Sequence, residues 1–141
     1  MTETATAQRP IDAPYYFAAL LDDSFDNAVA RTVAALEDEG FGIMARIDLK
    51  QTFAAKLGVE FRPYTILGAC NPRLALEALS IEDRIGTMLP CNVIVQQRDG
   101  KVEVAAVDPV ASMQAVANPE LHEKAALVAA KLMRVISALS D

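Results

Sequence analysis

The chain has 141 residues, the size of one ordinary domain, and 52% of them are hydrophobic, so it is no disordered polymer. Alanine supplies 25 of those residues and only eight residues are aromatic, a composition of helix-rich packing around a modest core. Thirteen basic against nineteen acidic residues leave a formal charge of −6, which argues against a nucleic-acid partner, and no apolar run approaches the roughly 20 residues that span a bilayer.

Residues 1–14 are small and polar, carry Pro10 and Pro14, and show no period. They read as a disordered or extended tail ahead of a single domain over 15–141. The start has no apolar stretch of a secretory signal, so with two cysteines the expected compartment is the reducing cytoplasm.

Tyr15 to Leu21 is apolar on both faces, as in a buried strand. Ser24 is a good N-cap for a helix whose stripe is Phe25, Val29, Val33 and Leu36, and Gly40 ends it. Phe41, Ile43, Ala45 and Ile47 alternate as a second strand. Asp48 then caps a short helix with Leu49, Phe53 and Leu57 inward, stopped by Gly58. Phe61 to Ala69 is a third strand, in which Pro63 suits an edge or a strand start.

Asn71-Pro72 is an N-cap followed by proline at the first helical position, with Leu74, Ala75, Ala78 and Leu79 as the apolar face. Ser80, with Asp83 three residues on, suggests a fresh helical start that ends before Gly86. Met88 to Arg98 and Lys101 to Val107 flank Asp99-Gly100, the strongest hairpin signal in the chain. Asn118-Pro119 opens a last helix with Leu121, Ala125, Val128, Leu132, Val135 and Leu139 on one face. The hairpin excludes a wholly parallel sheet and makes the fold class α+β.

Two segments resemble each other: Gly68-Ala69-Cys70-Asn71-Pro72 and Leu89-Pro90-Cys91-Asn92-Val93. Each sets a thiol at a strand end with asparagine beside it. A two-residue Asp99-Gly100 loop pairs Arg98 with Lys101, Val95 with Val104 and Val93 with Ala106, leaving Gln96 and Glu103 on the wetter face. Continued, the same register sets Cys91 opposite Asp108, whose carboxylate would raise the thiol pKa. Cys70 precedes a helix start, where free N–H groups favour a thiolate. If the strands of Cys70 and Cys91 run antiparallel, both thiols fall at one end of the sheet. The site expected from these residues is Cys70, Asn71, Cys91, Asn92 and Asp108. Three readings stay open: a pocket for a small molecule or soft metal, a thiol redox pair or enzyme, and inert cysteines in a structural domain. Two cysteines 21 residues apart and one histidine are too few for a closed zinc site. No glycine-rich phosphate loop or nucleophile elbow is present, so no residue is assigned as catalytic and no cofactor is named. His122 reads as solvated, Glu37-Asp38-Glu39 as a helix end open to a cationic partner, and Tyr64 as packing.

Gly40-Phe41, Ile47-Asp48, Lys56 to Tyr64, Leu67 to Pro72, Leu89 to Val93 and Asp108-Pro109 together resemble the prokaryotic domain-of-unknown-function family numbered 302, from about Phe17 to Leu139. That resemblance implies a two-layer α+β sandwich of the TATA-binding-protein-like kind. Its sheet would have about five strands, mixed or antiparallel, with helices on one face. The resemblance also implies a homodimer. It transfers no catalytic residue, and kinship of fold does not confer DNA binding.

Overall fold

The computed structural model describes residues 11–140; residues 1–10 of the expected tail lie outside them. Five long strands build the sheet: β2 (Tyr16–Leu21), β3 (Gly42–Asp48), β4 (Tyr64–Cys70), β5 (Cys91–Arg98) and β6 (Lys101–Val107). A two-residue edge strand, β1 (Ile11–Asp12), pairs with β2, so part of the expected tail joins the sheet. The order is β1-β2-β6-β5-β4-β3, and every neighbouring pair is antiparallel. This is the expected two-layer α+β architecture, with the choice between mixed and antiparallel settled as antiparallel.

The β5–β6 hairpin carries the register. Asp99 and Gly100 both take positive φ, 49° and 80°, which a two-residue type I′ turn requires. Arg98 then faces Lys101, Val95 faces Val104 and Val93 faces Ala106. Because side chains alternate, Val93, Val95, Val102, Val104 and Ala106 all enter one face.

Two helices cover that face. In α1 (Phe25–Asp38) the Ser24 hydroxyl accepts from the Asn27 N–H, and Ala28, Val29, Thr32 and Leu36 are buried. In α5 (Pro119–Leu139) the buried stripe includes Leu132, Val135, Ile136 and Leu139. These side chains and the inner face of the sheet form the main core. Glu39, at the acidic end of α1, finds its cation in Arg134 of α5, whose Nε donates to Oε1 at 3.1 Å.

Several local expectations fail, each for a visible reason. The helix α2 (Leu49–Leu57) forms with its Asp48 and Gly58 caps, yet none of its residues is buried and Leu57 is 69% exposed. Its period describes a helix, but no second layer lies opposite it. Ser80 does not start a helix. It lies inside α3 (Pro72–Ile81), and the 3₁₀ segment Asp83–Met88 is capped instead by Glu82, whose carboxylate accepts from the Arg84 N–H at 2.9 Å and which runs past Gly86. That segment delays β5 to Cys91. Gln96, expected on a wet face, is only 7% exposed: its Oε1 accepts from Arg62 Nε at 3.0 Å and its Nε2 donates to Glu103 at 2.8 Å. The Arg62 guanidinium also lies over the Phe61 ring, 4.4 Å from its centre. His122 is half-buried rather than solvated and is hydrogen-bonded through Nε2 to the Val116 carbonyl.

Candidate functional site

A second, smaller core closes the end of the sheet. Ala78 of α3, Ile85 of the 3₁₀ segment, Met113 after α4 (Pro109–Ser112), and Leu121 and Ala125 of α5 pack together there. Between this cluster and the ends of β4 and β5 lies a cavity of about 40 Å³. Ala69, Cys70 and Asn71 line it from one strand end, Cys91 from the other, and Leu89, Pro109, Met113 and Val128 from the surrounding elements.

The ladder explains why both cysteines reach this end of the sheet. β4 and β5 are antiparallel and Ala69 faces Cys91, so Cys70 is the residue immediately beyond the partner of Cys91. Cys70 also ends β4 opposite Gly42 of β3, where the chain turns into α3. Asn71 makes that turn: its Oδ1 accepts from the Leu74 N–H at 3.2 Å, and Pro72 follows at the first helical position, where a missing N–H costs nothing. Both cysteines are free and partly exposed. Burial pushes the Cys91 thiol up from its ordinary 9.0 to about 11, and the neighbouring Cys70 adds to the shift.

Three of the five expected site residues therefore line one cavity, Cys70, Asn71 and Cys91, although Cys70 follows inward Ala69 and strand alternation turns its side chain toward the other face. The other two do not. Asn92 points to the opposite face of the sheet and lines a separate cleft of about 370 Å³ with Tyr16, Tyr64, Ile94 and Gln96. Its place follows from strand alternation, since the residue after an inward Cys91 must face outward. Asp108 does not sit opposite Cys91 in the ladder, because the β5–β6 pairing ends at Val93 and Ala106. Beyond it the chain turns into α4. The Asp108 backbone N–H donates to the Tyr15 carbonyl at 2.8 Å, and its carboxylate accepts from the Val110 N–H at 2.9 Å as the cap of α4. The expected carboxylate effect on Cys91 is thus replaced by burial.

Met113, Pro109, Leu121, Lys124 and Val128 are wall residues that the sequence did not mark as a site. The α5 stripe was legible as an apolar face, but period alone does not tell a helix that meets a sheet from one that closes a cavity. Lys124 is the charged member of the wall. Its Nζ lies 2.9 Å from Glu77 of α3, and this hydrogen bond raises the ammonium pKa.

Among the described residues no group of three or more His, Cys, Asp or Glu side chains is placed to hold a metal ion. No helix among them is long and apolar enough to cross a membrane. The wall of the cavity is nearly all carbon and sulfur, with no carboxylate or imidazole on it. Such a chamber holds a soft or apolar group far better than a hydrated ion.

Comparison with known proteins agrees with this architecture. The family model "Domain of unknown function DUF302" matches residues 17–139. A solved structure of an uncharacterized conserved DUF302 protein from Bacillus stearothermophilus superposes with a TM-score of 0.84 at 25% identity, covering 90% of this chain and 99% of that one. No curated protein matches the chain.

Proposed function

The chain belongs to the DUF302 family, and within that family we propose that it is a binding module without turnover, whose sheet-end cavity holds a small thiophilic ligand between Cys70 and Cys91. One observation carries this reading: antiparallel pairing of β4 with β5 sets two free cysteines side by side at one end of the sheet, both in the lining of one small cavity that carries no carboxylate or imidazole. A thiol attacks only as thiolate. With Cys91 pushed up to about 11 its neutral form prevails near pH 7, so that thiol is a poor nucleophile. A thiophilic ligand displaces the thiol proton as it binds, so the raised pKa does not bar it.

We place this module in the cytoplasm, where both thiols stay reduced. Its partner, on this reading, is a second copy of the chain seated on the sheet face that α1 and α5 leave uncovered, where Tyr16, Tyr64, Ile66 and Ile94 are only half-buried. Sedimentation at micromolar concentration reads the dimer directly; a monomer throughout contradicts it.

The ligand reading is tested by thermal unfolding of the reduced protein with Hg(II) or Cd(II) as thiophilic probes. A ligand bound only by the folded state raises its melting temperature. The expected result is stabilisation of the natural chain that disappears in Cys70→Ala and in Cys91→Ala. Equal responses of the natural chain and the double Cys→Ala variant contradict the reading.

A further inference from the structure

We propose that the cleft between α1 and β3 is a docking groove for an amphipathic helix of a partner protein, apolar along one face and flanked by lysine or arginine. This surface is separate from the sheet-end cavity, and the inference does not depend on the binding reading above.

The strand register exposes a gap in the helical layer. Arg46 pairs with Leu67 and Asp48 with Thr65. Leu67 belongs to the main core, and Thr65, two residues earlier on β4, shares its face. Directly paired residues also share a face, so Arg46 and Asp48 lie on the side of the sheet that α1 and α5 cover. Both are nonetheless exposed, because no helix lies over this part of β3 among the described residues. The space left is a cleft of about 580 Å³. Helices pack side by side about 8–10 Å apart, so one more helix beside α1 would roof β3 and complete the layer.

The walls specify what that helix must carry. Besides the row that α1 buries in the core, Ala30, Val33 and Ala34 form a second row at helical spacing that lines the cleft. Asp26 and Glu37 stand at the two ends of this row, roughly 16 Å apart along the axis, the length of about three turns of a docked helix. Three carboxylates, Asp26, Glu37 and Asp48, against the one guanidinium of Arg46 leave the groove with two negative charges in excess. None of the four forms an ion pair with another described residue. Basic flanks on the incoming helix supply the complement. The floor adds an independent sign of an occupant. Thr65 lines the cleft and is only 7% exposed, and its hydroxyl has no hydrogen-bond partner among the described residues. No sealed-off side-chain oxygen is left unpaired there, so this hydroxyl opens into the cleft, where a polar side chain of the partner would satisfy it. Residues 1–10 of the chain have Met1 as their one large apolar side chain and supply no such face themselves.

The test is fluorescence anisotropy of the full chain with two labelled synthetic peptides of about 18 residues, long enough to be helical. One carries leucine along one face and lysine on both flanks; the other has glutamate in place of lysine. The basic peptide is expected to bind, and the acidic one to bind at least about tenfold more weakly. Ala30→Arg, at an exposed position of α1, sets a longer, cationic side chain in the groove. It is expected to weaken the basic peptide about tenfold, with the melting temperature near that of the natural chain. Glu37→Gln should weaken it roughly two- to fivefold, whereas Glu123→Gln, which removes an exposed carboxylate of α5 outside the cleft, should leave it unchanged. Equal losses in the two glutamate variants would show attraction to the acidic chain at large and overturn the proposal. So would undiminished binding in Ala30→Arg, or a natural chain that binds neither peptide. Dissociation of a dimer by Ala30→Arg would make the occupant a second copy of the chain, and also overturns it.

Discussion

The side-chain nitrogen of Asn71 lies 3.1 Å from the point that a Cβ on Gly40 would occupy. Gly40 follows α1 with φ +89°, a conformation L side chains rarely adopt. Its missing side chain is what lets the cap of α3 close against the loop before β3. Gly58 offers the control: φ is +65°, with nothing within 4 Å of its Cβ position. Gly58→Ala should lose about 1 kcal/mol from backbone strain alone. Gly40→Ala should lose more, roughly 1–2 kcal/mol, because Asn71 must also move. Urea midpoints of the two variants decide it.

A Cβ on Gly68 would come within 2.8 Å of the Pro90 ring and 3.4 Å of Ala45. Gly68 stands opposite Asn92, one step along the ladder from the cavity. A proline ring cannot swing aside as a flexible side chain does. Gly68→Ala is expected to cost roughly 1–3 kcal/mol by overpacking, read as a lower urea midpoint.

Titration of Cys91 links its burial to stability. The folded pKa of about 11 exceeds the ordinary 9.0, so between these values the folded chain holds a proton that the unfolded chain has released. Stability is full below pH 9 and falls as pH rises towards 11, by on the order of 2 kcal/mol. Urea midpoints taken from pH 8 to 11 should fall more steeply for the natural chain than for Cys91→Ala. Parallel slopes would show that Cys91 is as solvated as a free thiol.

Two leucines with the same helical spacing should answer differently. Leu132 of α5 is fully buried in the main core, so Leu132→Ala should cost about 2–5 kcal/mol. Leu57 of α2 is 69% exposed, and Leu57→Ala should stay within roughly 0.5 kcal/mol of the natural chain. Equal losses would place α2 in a core.

These leucines also mark how far the sequence alone specifies the fold. Caps and turns are local chemistry, and Ser24, Asp48, Asn71, Asn118 and Asp99-Gly100 all do in the fold what their types require. The hairpin register could be extended from its turn because each pairing fixes the next. It failed for Asp108 because a competing local bond, its own cap on α4, ends the ladder before Cys91 can meet it. Which apolar stripe faces a layer, and which elements share a cavity, depends on strand order. That order was not readable from period, which is why Met113 and Lys124 stayed out of sight while Cys70 and Cys91 drew notice through their matching asparagines.

The most direct measurement is bridging of the two thiols in the folded, reduced protein by dibromobimane, which becomes strongly fluorescent when one molecule has alkylated both. Cys70 and Cys91 opening onto one chamber predicts a single intramolecular bridge per chain, absent in either Cys→Ala variant. Two independent alkylations without a bridge, in protein whose circular dichroism is that of the folded state, would show that the thiols do not share a site.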